Sequence, residues 1–256
     1  MPILEDAQQL TLFPLADHQA PLPDYQVRES TRARHVSLKV SYQGKLEVVV
    51  PPGFNPKEIP TILEQRRSWI TKTLKRIEKQ RDTLPAEHEA EKPNSLTLQA
   101  CGETWQVLYK QARGATVALT QSNPQELTLR GGLEDTEACL DLLRRWLQRK
   151  ARADLAPWLQ RLSQKCDLAY GRMSVRGQTS RWGSCSSHQS ISLNYKLLFL
   201  PPSLVDYVLI HELCHTVHMN HSKAFWQLVN QYYPECDRAK ADLKQAWQHV
   251  PQWIDA

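Results

Sequence analysis

The most constraining stretch of the chain is Val208-Leu209-Ile210-His211-Glu212-Leu213-Cys214-His215. On a helix its two histidines lie one turn plus about 40° apart, so both imidazoles reach a single metal ion while Glu212 addresses a water on that ion. The surrounding residues make this helix a buried one. With His211 as reference, Leu204, Tyr207, Val208 and His215 fall on one side, and Val205, Leu209, Ile210, Leu213 and Val217 cover the back. A coincidental pair of histidines belongs on a solvated helix, because burying His211, Glu212 and His215 without partners is costly. A bound dication removes that penalty for all three. The pattern therefore implies a metal hydrolase centre.

A third protein ligand must come from outside the motif. On a continuing helix His218 faces the same way as His211, but it lies about 10 Å further along the axis, beyond His215. Glu235 follows His215 by twenty residues, a spacing at which some zinc peptidases supply a carboxylate. It also suits the first turn of a helix after Pro234. His221 faces elsewhere on a straight helix, yet Asn220 readily takes the left-handed conformation that ends helices. Ser222 is a natural N-cap for a next helix from Lys223 to about Tyr233. A turn at Asn220 brings His221 back toward the metal, so the residues favour His221, with Glu235 and then His218 as alternatives. An all-imidazole set prefers zinc among divalent ions.

The rest of the chain supplies the scaffold. Residues 1–24 hold Pro14, Pro21 and Pro23 and no sustained period, and read as a flexible N-terminal arm. Val36, Leu38 and Val40, then Leu46, Val48 and Val50 beyond Tyr42-Gln43-Gly44, alternate with polar residues as a β-hairpin with one buried face. Asn55-Pro56-Lys57-Glu58 starts a helix, which Pro60 delays by a few residues, with Ile62, Leu63, Trp69, Ile70, Leu74 and Ile77 on its stripe. A polar stretch over 82–94 is a linker. Alternating runs at Leu96–Ala100, Trp105–Tyr109, Val117–Leu119 and Leu127–Leu129 read as an antiparallel meander continuing the first sheet. A long amphipathic helix follows, striped by Leu140, Leu143, Trp146, Leu147, Leu155, Trp158, Leu159 and Leu162, with Pro157 as a kink point. Its Arg- and Lys-rich outer face reads as solvated surface in preference to a nucleic-acid contact.

Met173-Ser174-Val175 and Ile191-Ser192-Leu193-Asn194-Tyr195 are strands, and Pro201-Pro202 opens the metal helix. Between them, Arg181-Trp182-Gly183 has two readings. A strand bordering the cleft, from 180–185 or from 191–195, holds extended substrate by backbone pairing, or Arg181-Trp182-Gly183 only shapes a tight turn under the helix. The fold class is α+β: an antiparallel β-rich N-terminal lobe over 25–131, then a helical catalytic lobe over 132–256 with a small sheet and the metal helix.

Composition narrows the class further. At 41% hydrophobic, 256 residues supply a substantial core. Glu5 and Asp6 stand where a secretory signal carries positive charge, no apolar run is of membrane-spanning length, and the six cysteines are scattered without a CxxC pair. A cytoplasmic protein with reduced thiols and no membrane span is expected. The net charge of +5 is too mild for a nucleic-acid signature.

Arg181-Trp182-Gly183-Ser184-Cys185, Ile191-Ser192-Leu193-Asn194, Leu200-Pro201-Pro202, His211-Glu212-Leu213-Cys214-His215 and Asn220-His221-Ser222 followed by Phe225-Trp226 together resemble the YgjP-like metallopeptidases, relatives of the SprT and WLM zinc peptidases. The Arg-x-Val-Ser-Leu-x-Val segment, the Val-Pro-Pro after the hairpin and the helix containing Trp69 extend the likeness from about 25 to 245. The resemblance implies one YgjP-like domain over 25–256, a zincin-like catalytic lobe, zinc held by His211, His215 and His221, and Glu212 as catalytic acid/base. Members of the family often lack a histidine where this chain has His218. Arg181, Tyr195 and His218 remain candidates for contacting substrate or steadying the transition state. The expected reaction is peptide hydrolysis. Rival readings are a metal-dependent nucleotide pyrophosphohydrolase, weakened by the lack of a phosphate-cradling Gly-rich loop, and a non-catalytic zinc protein associated with nucleic acid.

Overall fold

Alternating apolar and polar residues resolve into three small sheets, and the helices between them bury one face of each. The structure, a computed structural model, describes residues 24–31, 33–40, 44–81, 92–114 and 116–255. The expected arm before Asp24, the Tyr42-Gln43 turn and most of the 82–94 linker lie outside those residues.

The first sheet holds β1 (Tyr25–Glu29), β2 (Ser37–Val40) and β3 (Leu46–Val50) in the order β1-β3-β2. β2 and β3 are antiparallel, with Leu38 opposite Val48, as the hairpin reading requires. β1 runs parallel to β3, and it escaped that reading because all of its residues are exposed and its alternation marks no core. Leu46, Val48 and Val50 pack on Ile59 and Leu63 of α1 (Ile59–Gln65) and Ile70 of α2 (Arg67–Arg81). The single helix expected here breaks at Arg66, whose backbone leaves the helical region at φ −103° and ψ 4°. Trp69 is 46% exposed instead of joining the stripe, because it sits about 100° round the helix from Ile70. The side chain of Ile77 lies outside the described residues.

The second sheet holds β4 (Ser95–Leu98), β5 (Glu103–Gln111), β6 (Ala118–Asn123) and β7 (Glu126–Gly131) in the order β4-β5-β7-β6. All four strands were expected, but they form neither a meander nor an extension of the first sheet. β7 lies parallel to β5, and β6 is displaced to the edge. Burial explains the order: Leu127, Thr128 and Leu129 are buried on both faces of β7, whereas β6 is almost wholly exposed. The sheet packs on α3 (Thr136–Cys166), which Asp135 caps by accepting from the Ala138 amide at 2.9 Å. Trp105 meets Trp146 edge to face at 4.7 Å. This core is continuous through Leu129, Leu133 and Leu140, across residues 131 and 132 where a lobe boundary was expected, and on to the metal helix. The first sheet keeps a separate core.

The third sheet holds β8 (Met173–Arg176), β9 (Gly183–Cys185) and β10 (Ile191–Asn194) in the order β8-β10-β9. Its centre is β10, with Ile191, Leu193 and Asn194 buried, and this leaves β9 as an edge strand against α4 (Pro202–Cys214). After α5 (Lys223–Tyr232) and α6 (Cys236–Leu243) the chain returns through two 3-10 turns, burying Ala246, Val250, Trp253 and Ile254. Arg144 of α3 clasps this segment, donating to the carbonyls of Ile254 at 3.1 Å and Trp253 at 2.8 Å. Lys196, fully buried, pairs with Asp255. The architecture is α+β. All six cysteines are free, and no helix among the described residues is long and apolar enough to cross a membrane.

Candidate active site

The proline pair sets α4 on its course. Pro202 occupies the first turn, where a missing amide donor costs nothing, and nine residues from Leu204 to Cys214 are buried along it. His211 and Glu212 lie in its last turn, and His215 caps it. The chain then tightens: the amides of Thr216, Val217 and His218 donate to the carbonyls of Leu213 or Cys214 at 2.9–3.1 Å. Those bonds make the turn. Asn220 does not adopt the left-handed conformation expected of it; the non-glycine residues that do, among those described, are Gln125, Asp167 and Gln189. Ser222 caps α5 as expected, its hydroxyl accepting from the Phe225 amide at 3.3 Å.

The turn brings three imidazoles together. His211, His215 and His221 offer ring nitrogens that all lie within 4.8 Å of one another, and the Nε2 atoms of His211 and His221 stand 3.2 Å apart. Nδ1 of His215 lies 2.9 Å from the His218 carbonyl. A carbonyl only accepts, so Nδ1 carries the proton and Nε2 keeps the lone pair that a metal needs. Aromatic rings fix the remaining orientations. Phe225 stacks on His215 at 4.4 Å and Trp226 on His221 at 5.6 Å, with the Lys240 ammonium 4.1 Å from the centre of the Trp226 ring. His218 therefore contributes its backbone carbonyl, and its imidazole is not among the three. Glu235, the alternative ligand, is exposed at the start of α6 and outside the group.

Burial sets the protonation. Desolvation first, then the neighbouring His215 and His221 and the charge of Lys240, push His211 down to about 3. Desolvation lowers His215 as well, against the opposing hydrogen bond to His218. Both are neutral near pH 7, as ligands must be. Glu212 is 5% exposed, and desolvation raises it to about 8 although Arg181 pulls the other way. Nδ1 of His211 and Oε2 of Glu212 are buried with no hydrogen-bond partner. The orphaned Glu212 oxygen beside three clustered ring nitrogens matches the donor set of a divalent cation with an attached water.

β9 crosses directly over Glu212. A Cβ on Gly183 would stand 2.7 Å from Oε1 and 2.8 Å from Cγ of Glu212, so only glycine permits this approach. The arch ahead of it is pinned by Asn194, whose amide side chain donates to the carbonyls of Gln178 at 2.7 Å and Arg181 at 2.8 Å. The Asn194 backbone amide donates to Trp182 at 2.8 Å. Trp182 stacks on Trp247 at 4.1 Å, which ties the arch to the C-terminal segment. Between β9 and α4 a cavity of about 220 Å³ opens onto His211 and Glu212, with Arg181, Trp182, Tyr207, Val208 and Leu243 in its walls. Of the three candidate helpers, Arg181 lines this cavity. Tyr195 is buried against Gly177 and faces Asp255.

A profile of the YgjP-like metallopeptidase domain matches residues 34–246. The chain belongs to the YgjP-like family. The family is one of metal-dependent peptidases, so a divalent metal and a peptide or protein substrate follow at that level. Two solved metallopeptidase zymogens are similar over about a third of this YgjP-like chain. Jannalysin of Methanocaldococcus jannaschii is 19% identical over 36% of this chain and 95% of its own, with a TM-score of 0.33. Abylysin of Pyrococcus abyssi is 23% identical over 35% of this chain and 91% of its own, with a TM-score of 0.33. No curated protein matches.

The YgjP-like motifs announced the histidines and Glu212, but not three of their supports. Gly183 was visible only as part of Arg-Trp-Gly, Leu243 lies far along the chain, and Trp226 carried no sign of its stacking on His221. Tyr207 was placed on the side of His211 by the helical period alone.

Proposed function

We propose that this YgjP-like protein is a zinc peptidase in which His211, His215 and His221 hold the ion and Glu212 moves the proton. The observation that carries the reading is the convergence of three imidazoles beside a buried carboxyl whose Oε2 has no partner. Zinc bound there supplies a water acidified to a pKa of about 7 and a Lewis acid for the substrate carbonyl. Glu212 would accept a proton from the attacking water and return it to the leaving amine. Burial raises this carboxyl, and the charge of a bound dication would draw it back toward the ionised form that accepts a proton. The edge of β9 binds an extended substrate by backbone pairing. Arg181, at the cavity mouth, steadies negative charge developing on the carbonyl oxygen.

Among the described residues Arg181 is the one cation in the cavity wall, too little for a triphosphate, and this favours peptide over phosphoanhydride hydrolysis. The test is Glu212→Gln assayed on a denatured protein alongside nucleoside triphosphates. The variant keeps its metal and loses proteolysis, with no triphosphate turnover by either protein. Full proteolysis by the variant overturns the assignment.

A further inference from the structure

We infer that the cavity between β9 and α4 receives one neutral, apolar side chain of the substrate, from a residue flanking the scissile bond, and that Leu243 sets its size limit. This rests on the peptidase reading and specifies its substrate. At about 220 Å³ the cavity falls short of the roughly 300–1,000 Å³ that enclose whole small molecules, and fits one side chain. It opens onto Glu212 and His211, so its occupant must be next to the bond that reacts.

The walls select for apolar character. Trp182, Tyr207 and Val208 are each buried and present ring or aliphatic surface. Leu243, at the end of α6, adds an aliphatic wall. Arg181 at the exposed mouth repels Lys and Arg, and a carboxylate of Asp or Glu would lose its water among the apolar walls. The backbone gives the register. β9 is an edge strand, and a chain paired to it sends alternate side chains to one face, so one enters the cavity while its neighbours point away.

The cavity is also rigid. Trp182 is backed by Trp247 at 4.1 Å, and the Lys196 ammonium lies 5.1 Å over the ring of Trp247. A wall held on its far side discriminates by size because it cannot yield to an oversized group. Leu243 is half-buried at a helix end, so it tolerates replacement better than the core aromatics.

The test uses zinc-loaded full-length protein and peptides that differ at one position beside the cleavage point. Wild type cuts Leu, Met or Phe peptides at least about tenfold faster than Gly, Asp or Lys peptides. Leu243→Ala moves the optimum about tenfold toward Trp, and Leu243→Trp moves it about tenfold toward Ala. Calorimetric binding of the same peptides to the Glu212→Gln variant gives the same ranking without turnover. Wild-type cleavage indifferent to the flanking residues, or Leu243 variants with unchanged ranking, overturns the inference and leaves the peptidase reading standing. Equal cleavage by wild type and Glu212→Gln overturns the peptidase reading, while the calorimetric ranking still decides whether the cavity binds apolar side chains.

Discussion

Replacing Glu212 by Gln in metal-free protein isolates the energetic strain of the site. The carboxyl is 5% exposed, its Oε2 has no partner, and desolvation raises it from an ordinary 4.5 to about 8. Below 4.5 both folded and unfolded chains hold the proton, and no penalty exists. As pH rises through 4.5 the unfolded chain ionises while the folded one stays protonated. Stability therefore falls across that window and levels off near 8. At ~1.4 kcal/mol per pH unit the full loss is about 5 kcal/mol, as an upper bound. Glutamine has no proton to hold, so the variant escapes it. His211 and His215, both lowered by burial, act alike in the two proteins and cancel in the comparison. Urea unfolding of chelator-treated wild type and variant, at about pH 5 and about pH 8.5, reads the effect. The advantage of the variant grows by about 4 kcal/mol between the two conditions. A difference that stays constant with pH refutes the reasoning, because it means that Glu212 ionises as it does in water.

Two further substitutions probe the supports of the site. Gly183→Ala places a Cβ 2.7 Å from the Glu212 carboxyl, and turnover falls by about 10²-fold with bound zinc unchanged; a wild-type rate would show that β9 does not constrain the acid/base. Asp255→Ala leaves the fully buried Lys196 without its counter-ion and lowers stability by about 3–5 kcal/mol in chemical unfolding; a loss below about 1 kcal/mol means that Lys196 finds another partner or loses its proton.

The clustering of the three histidines was legible in sequence because it is set locally: a one-turn spacing on a buried helix, then a cap at Ser222 that returns the chain. The grouping of His221 with His211 and His215 was reached through a wrong detail, since tightened hydrogen bonds after Leu213, and not a left-handed Asn220, make the turn. The strands were legible too, except β1, whose exposed residues leave no core pattern. Their order was not. Whether β6 or β7 lies beside β5 depends on which strand is buried on both faces, and that is settled by where α3 packs. The walls of the cavity were the least legible part. Trp182, Tyr207 and Leu243 meet across long sequence separations, and the stack of Trp182 on Trp247 leaves no periodic trace.

In the proposed site three histidines, the last from beyond the helix, hold the metal. Elemental analysis of dialysed wild type and His221→Ala tests this most directly. Wild type carries one zinc per chain, and the variant carries almost none while remaining folded. A variant that keeps its full zinc, or a wild type that binds no metal at all, contradicts the account.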